Sequence, residues 1–332
     1  MSLLPVVEAC DNFSLDTTME ELTPFFIKQH TTTPIGYLFP HVLSLLQKYN
    51  ASQERPPFEI TPQQVSFASH LSGFQDLTSA MKQLCESWRD TGEFGDVIGG
   101  RMWRSELYTV YEKSPFRDLE SVAFAVERSC CPIFGFVVYG VHLTMYTPDM
   151  RIWVGRRAKS KQTWPGYLDN AAAGGMPHGT SPREAFLKEC YEEASMPQKV
   201  AERATGVGAL SYFYRNAKGY LQPEIQYVYD LCLPPDDGQG NQSVDAFTPR
   251  PSDGEVESFE LLNVDDVLAK MKAGKFKPNC AIVLLGFFIR HGIVTPENEP
   301  NYLEIWTRMH GRHGFDAFVT RMAKQGGNGS SS

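Results

Sequence analysis

The chain lacks the features that mark several protein classes. Its seven cysteines (Cys10, Cys85, Cys130, Cys131, Cys190, Cys232 and Cys280) form no CxxC pair, and the odd number leaves one over. This argues against a zinc site or a disulfide framework and fits a reducing compartment. Basic charge is scarce: 31 Lys and Arg against 39 Asp and Glu give a net charge of −8. A general nucleic-acid binder needs a basic surface to displace counterions from phosphates, so that class is disfavoured. No long apolar run suggests a membrane span. The N-terminus, with Glu8, Asp11 and Asp16 and no basic amphipathic stretch, is not expected to be a signal or transit peptide. A cytoplasmic location is expected, and no internal repeat is present. What remains is an ordinary globular composition, 42% hydrophobic and 21% charged, over 332 residues. That length exceeds the usual size of one core, so two domains, or one with a large N-terminal extension, are expected. A small anionic substrate stays compatible with the charge if a cation or a local basic cluster receives it.

Along the chain, Pro-containing polar breaks fall at Thr31 to Pro34 and Glu54 to Pro57. Residues from Ile60 to Glu93 read as helical. Alternation at Leu107, Thr109 and Tyr111, then Val122 to Val126 and the apolar run Phe134 to Leu143, predict strands. Arg151 to Val154 predicts another, and a basic segment follows with Arg156, Arg157, Lys159 and Lys161. Downstream, Gln226 to Leu233 and Glu257 to Leu262 read as strands, Pro234 to Pro251 as a loop, and Val264 to Ala273 and Asn279 to His291 as helices. The Gly/Ser-rich tail from Gly326 is expected to be disordered.

Signals are densest in residues 174–196, GGMPHGTSPREAFLKECYEEASM. Gly174, Gly175 and Gly179 permit a tight loop, and Ser181-Pro182-Arg183-Glu184 supplies an N-cap, a first-turn proline and a capping-box glutamate, so a helix starts at Pro182. At about 100° per residue, Glu189, Glu192 and Glu193 share an arc of roughly 100°, while Phe186, Leu187, Cys190 and Ala194 face elsewhere. Like charges at this spacing repel by about 0.2–0.5 kcal/mol per pair. A divalent cation, Mg²⁺ by its preference for carboxylate and water oxygens, would reverse that sign. The bare spacing fits a solvated acidic face as well.

The Nudix signature places a glycine, five residues, a glutamate, seven residues, then Arg-Glu, an apolar residue, any residue, Glu-Glu, any residue, Gly and an apolar residue. From Gly174 through Glu189, Cys190, Glu192 and Glu193 to Met196 the segment resembles it in spacing throughout, with Thr180, Lys188 and Ser195 at the positions of the first glutamate, the arginine and the last glycine. The segments Trp103–Tyr108, Phe134-Gly135, Tyr139–His142, Trp164–Asn170 and Arg290–Gly292 further resemble one Nudix subgroup. It contains stand-alone fungal and plant proteins and the N-terminal portion of fungal thiamine pyrophosphokinases, and it hydrolyses thiamine diphosphate, preferring oxothiamine and oxythiamine diphosphates, to the monophosphate.

The resemblance implies an α/β/α sandwich with a mixed sheet over residues 129–300, an N-terminal α+β module over 1–128 and a C-terminal extension over 301–332. It implies Mg²⁺, or Mn²⁺, on Glu189, Glu192, Glu193 and the Gly174 carbonyl, with Glu189, Glu193 and Glu255 catalytic. Glu257 is a second loop candidate for the general base, and surface acidity accounts for that turn equally well. Arg156, Arg157 and Lys161 are candidates for the substrate's charge and Trp164 for its ring, against a solvated loop and a packing residue. Trp103 and Arg104 are candidates by which the N-terminal module shapes the pocket. The only partner expected is a small-molecule diphosphate; the oligomeric state is open. No room is left after His291 for a kinase portion, so thiamine phosphorylation is not expected. A nucleoside diphosphate hydrolase, an enzyme of prenyl diphosphates and a Nudix-like binding module without turnover stay as alternatives.

Overall fold

A computed structural model describes residues 2–15, 21–28, 33–113, 121–235 and 246–313. Asp16, residues 236–245 of the expected loop and the Gly/Ser-rich tail lie outside the described residues. The elements run α1 (Leu4–Glu8), β1 (Thr23–Phe26), β2 (Gly36–Leu38), α2 (Pro40–Ala51), β3 (Phe58–Ile60), β4 (Val65–Phe67), α3 (Gly73–Thr91), α4 (Gly95–Ile98), β5 (Leu107–Tyr111), β6 (Val122–Glu127) and α5 (Cys131–Phe134). They continue with β7 (Val138–Tyr146), β8 (Ile152–Arg157), β9 (Leu168–Asp169), β10 (Ala172–Gly175), α6 (Pro182–Ala194), α7 (Gln198–Ala201), β11 (Thr205–Arg215), β12 (Leu221–Cys232), β13 (Val256–Leu262), α8 (Val264–Lys272), α9 (Pro278–Arg290) and α10 (Tyr302–Arg308). None of the helices among the described residues is long and apolar enough to cross a membrane.

The larger sheet is mixed. Its order is β11-β12-β7-β8-β13, with β10 also paired to β7 and β9 to β8; β7 and β12 are parallel and the other pairs antiparallel. Burial from Tyr139 to Met145 is continuous, as in a strand covered on both faces. One face packs its odd-numbered residues Tyr139, Val141, Leu143 and Met145 on Phe186, Cys190 and Ala194 of α6. The other lies under α9, buried along nearly its whole length, and under α1, α8 and α10. The result is a three-layer α/β/α sandwich. Helix α1 joins this second core, although residues 1–128 were expected to form their own module: the Glu299 carboxylate accepts the Leu3 amide at 2.8 Å and the Ser2 hydroxyl at 2.6 Å.

The rest of the N-terminal part forms an α+β module. A four-stranded sheet, β2-β1-β4-β3, and the β5-β6 hairpin share a core with α3. Leu77, Ala80, Met81, Leu84, Cys85 and Trp88 give α3 one apolar stripe at helical spacing, and Gly92 at φ 80° ends it. Two local expectations are corrected. Residues 58–67 form a hairpin, so the helix expected from Ile60 begins at Gly73. The run from Phe134 opens with the helical turn α5, stopped by Gly135 at φ 61°, before β7 starts. Phe134 is drawn into the aromatic core of the module, stacked on Trp88 and Phe136.

Candidate active site

Helix α6 starts where its sequence directs. The Ser181 hydroxyl accepts the Glu184 amide at 3.2 Å and the Glu184 carboxylate accepts the Ser181 amide at 2.8 Å, a reciprocal box that fixes the helix against the incoming loop. The helix ends at Ser195, in the left-handed region at φ 53°, where a glycine is the unstrained choice. Its amide bonds the Tyr191 carbonyl and its hydroxyl the Arg250 carbonyl at 2.9 Å, so serine is accommodated there by local bonds. Thr180 is likewise occupied locally, its hydroxyl donating to the Pro177 carbonyl at 2.7 Å.

The carboxylates meet strand β10. A methyl built on Gly174 would lie 2.0 Å from Glu189 Cδ, so the carboxyl group occupies the place of a side chain on that strand. Glu193 is buried, and its carboxylate accepts the Ala173 amide at 2.8 Å. Burial pushes the Glu189 carboxyl up to about 7 against the pull of Lys188, and pushes Glu193 well above its usual range, with Asp169 and Glu189 adding to the effect. Glu192 is half-exposed and stays with the Lys188 ammonium at 3.2 Å, which also lies 3.9 Å from Glu189. Gly174→Ala is therefore expected to lower kcat by about 100-fold, because the carboxylate must leave the strand; steady-state kinetics on the folded variant measures it.

Three carboxylates and a main-chain oxygen are the donors a hard divalent cation prefers, and the two buried carboxyls, pushed toward their neutral forms, gain most from its charge. Among the described residues no three His, Cys, Asp or Glu side chains converge as around a bound ion; Lys188 holds Glu192 on the exposed side. The set fits Mg²⁺ or Mn²⁺ in kind, with Glu192 the carboxylate that has to turn.

Glu255 reaches the same region from the turn before β13. Burial would raise its carboxyl, but a hydrogen bond and ion pair with Lys161, helped by Arg157 and Arg128, outweigh it and hold Glu255 below its usual value. It stays ionised at neutral pH, as a base must. Glu257 is exposed on β13.

The basic segment is placed otherwise than expected. Arg157 is 6% exposed and pairs with buried Asp169 at 2.7 Å, while its Nε and Nη2 donate to the carbonyls of Trp164 and Thr163 at 3.1 and 3.0 Å. It ties down the turn and is not presented to a substrate. Arg156, its neighbour on β8, pairs with Glu260 at 2.6 Å and bonds the Gly166 carbonyl. Trp164 has φ 53°, an outlier for a bulky residue. The grip of Arg157 holds this turn, and the half-buried indole packs edge-on against Tyr167 at 5.0 Å. His310 and His313 do not converge: His310 faces the Trp306 carbonyl at 2.8 Å and buried His313 the Glu224 carbonyl at 3.2 Å. Cys130 and Cys131 are buried thiols.

Sequence reasoning gave no role to Tyr108 and did not single out Arg128. The Tyr108 side chain is buried and its hydroxyl lies over Gly175, where a methyl would be 1.5 Å away. Arg128 lies over the Tyr108 ring, 4.9 Å from its centroid. Arg128 follows a strand in an unremarkable Glu-Arg-Ser-Cys-Cys run, and no local pattern marks it.

The two halves correspond to separate family profiles. One described as NUDIX domain matches residues 138–281, and one described as Domain of unknown function (DUF4743) matches residues 2–137. The Saccharomyces cerevisiae protein named Uncharacterized protein YJR142W is 33% identical over 305 residues, spanning 87% of this chain and 83% of its own length. Nudix hydrolase 20, chloroplastic, of Arabidopsis thaliana is 34% identical over 300 residues, spanning 88% and 74%. Among solved structures, a C. elegans Ap4A hydrolase binary complex aligns with a TM-score of 0.34 and 17% identity, over 47% of this chain and 99% of that one.

Proposed function

The chain belongs to the Nudix hydrolases and is a diphosphate hydrolase, and from that premise we propose that it splits thiamine diphosphate derivatives, oxothiamine and oxythiamine diphosphates foremost, to the monophosphate and phosphate. The observation that carries the chemistry is the seating of the Glu189 and Glu193 carboxylates against the glycine strand β10, with ionised Glu255, paired to Lys161, near enough for its charge to act on Glu189. The substrate class is supported by the subgroup resemblance at Trp103–Tyr108 and Trp164–Asn170. Both segments frame this region, the first through Tyr108 over Gly175, the second through Asp169 and the Trp164 turn.

Enzymes of this family use divalent metals such as Mg²⁺ or Mn²⁺, and Glu189, Glu192, Glu193 and the Gly174 carbonyl would hold one here. When bound, it supplies neutralisation of phosphate charge and Lewis acidity toward water. Glu255 takes a proton from the attacking water, whose oxygen bonds the terminal phosphorus; the bond from that phosphorus to the bridging oxygen breaks, and the bridging oxygen leaves with the thiamine monophosphate, carrying the negative charge. Trp164, fixed by Arg157, offers an aromatic surface to a heterocyclic ring.

Phosphate release with Mg²⁺ from oxothiamine, oxythiamine and intact thiamine diphosphates, beside ADP-ribose and NADH, tests this. The expected result is a kcat/KM for the two oxidised thiamine compounds at least about tenfold above the nucleotides, a difference of roughly 1.4 kcal/mol in transition-state binding. Turnover confined to nucleotides discards the thiamine assignment. Silence on all of them moves the reading to a binding module.

A further inference from the structure

Glu127 closes β6 with a buried carboxylate, 5% exposed, whose oxygens are both used. One accepts the Arg104 amide at 3.0 Å, the Ser129 amide at 3.2 Å and the Ser129 hydroxyl at 2.9 Å; the other accepts the Glu106 amide at 3.3 Å. Between Arg104 and Glu106, Ser105 sits at φ 55°, a left-handed conformation that a serine does not adopt for its own sake. The buried carboxylate thus clamps a strained turn and ties the entry to β5 to the end of β6, which lies opposite it. Arg104, Glu106 and Arg128 emerge from this clamp.

Arg128 is fixed in plane by the Tyr108 ring and in direction by one bond, Nη1 to Glu106 at 2.5 Å. No other side-chain hydrogen bond holds it among the described residues, and its side chain is 39% exposed. Tyr108 rests on Gly175, and the adjoining Gly174 carries the Glu189 carboxylate. A short chain of contacts therefore joins Arg128 to the acidic face. Several other cations near that face hold acidic partners: Arg157 on Asp169, Arg156 on Glu260, Lys161 on Glu255 and Lys188 on Glu192, while Lys277 acts on buried Asp169. Arg104 is exposed and has no ion pair among the described residues.

We propose that the N-terminal module completes the active site: Arg128, with Arg104 beside it, receives the substrate's phosphate opposite the Glu189–Glu193 face, and Glu127 is the positioning residue for both. The inference rests on diphosphate hydrolysis at this site and not on the thiamine assignment. A diphosphate brings several negative charges to a face already lined by carboxylates, and a planar guanidinium with free N–H groups can bond two phosphate oxygens at once. Burial, then the neighbouring Arg128 charge, push the Arg104 guanidinium down, while the Glu106 side chain helps to hold Arg128 above its usual value.

The test is calorimetric titration of the full chain with inorganic diphosphate in Mg²⁺, alongside KM and kcat for whichever diphosphate is turned over. Arg128→Met keeps the stem over Tyr108 and removes the charge; it is expected to weaken binding at least about tenfold and to raise KM more than it lowers kcat. Arg128→Lys is expected to restore part of the loss. Glu127→Gln raises KM less, and adds less in the Arg128→Met background than in the wild type, because there only its hold on Arg104 is left to lose. Glu106→Gln, which frees Arg128 of its internal counterion, is expected to tighten binding, so the idea survives even where an Arg128 variant does not fold. Arg151→Ala, on the turn between β7 and β8, serves as the unaffected control. Wild-type affinity in a folded Arg128→Met, weaker binding in Glu106→Gln, or no binding by the wild type would each overturn the proposal. Binding that depends on Arg128 without thiamine turnover overturns only the substrate assignment.

Discussion

Glu193→Gln is expected to lower kcat by about 10³-fold or more while leaving the metal-free protein at least as stable as the wild type. The change removes one charge and almost no volume. In the proposed site it takes away one of the carboxylates that would hold the divalent ion, and loss of several kcal/mol of charge stabilisation in the transition state translates to that factor at 1.36 kcal/mol per decade. The amide oxygen can still accept the Ala173 amide, so the bond that seats α6 on β10 remains. Stability moves the other way because the carboxyl is held well above its usual value of 4.5 by burial and by Asp169 and Glu189. For an acid raised in the folded state, the folded chain binds more protons than the unfolded one, so stability falls as pH rises above about 4.5. Glutamine has no such slope. Thermal unfolding in a chelator across pH 5 to 8, beside steady-state rates in Mg²⁺, separates the two effects. A variant that loses activity only in proportion to folded protein would place Glu193 among structural residues.

Arg157→Met is expected to destabilise the protein by about 3–5 kcal/mol, the cost of leaving one member of a buried pair unpaired. Asp169 is 4% exposed and is shared by Arg157, the Cys280 thiol at 2.6 Å and the Asn170 amide at 2.9 Å. Burial alone would raise its carboxyl, yet Lys277 and Arg157 outweigh that and hold it at about 2. This contribution to stability is present above the unfolded value near 4 and is lost as pH falls toward 2. Denaturant unfolding at neutral pH measures the loss. Arg157→Met combined with Asp169→Leu should recover much of it, since replacing both partners removes the orphaned charge. Activity of Arg157→Met should fall as well, because the carbonyls of Thr163 and Trp164 lose their donors and the left-handed turn at Trp164 is released. A stable variant with only a raised KM would instead return Arg157 to the substrate.

The parts of the chain that were legible are those whose signals are local. Ser181, Pro182 and Glu184 set the start of α6 within four residues of sequence, and the arc of Glu189, Glu192 and Glu193 follows from helical geometry alone. The helices α8 and α9 and the strands β12 and β13 stand close to their expected positions because their apolar patterns agree with the layer they enter. Residues 61–72 were misread because β4 pairs in parallel with β1, which lies about forty residues earlier, a partner that periodicity over a short window does not register. Phe134 was misread because an apolar run looks the same whether it enters one core or crosses between two.

The sequence by itself determined the family and the carboxylate helix, since each is a spacing or a cap, whereas Gly174 and Gly175, read there as loop, lie on strand β10 paired with β7. Only the tertiary structure decided which charges are free. Arg156, Arg157, Lys159 and Lys161 look alike along the chain, but Arg157 is buried at the end of β8 on Asp169, Lys161 holds Glu255, and Arg128, in the other half of the chain, pairs with Glu106 while its side chain stays 39% exposed. A charge's role depends on what it is buried against and paired with, and those partners are distant in sequence: 94 residues separate Lys161 from Glu255, and 111 separate Asp169 from Cys280.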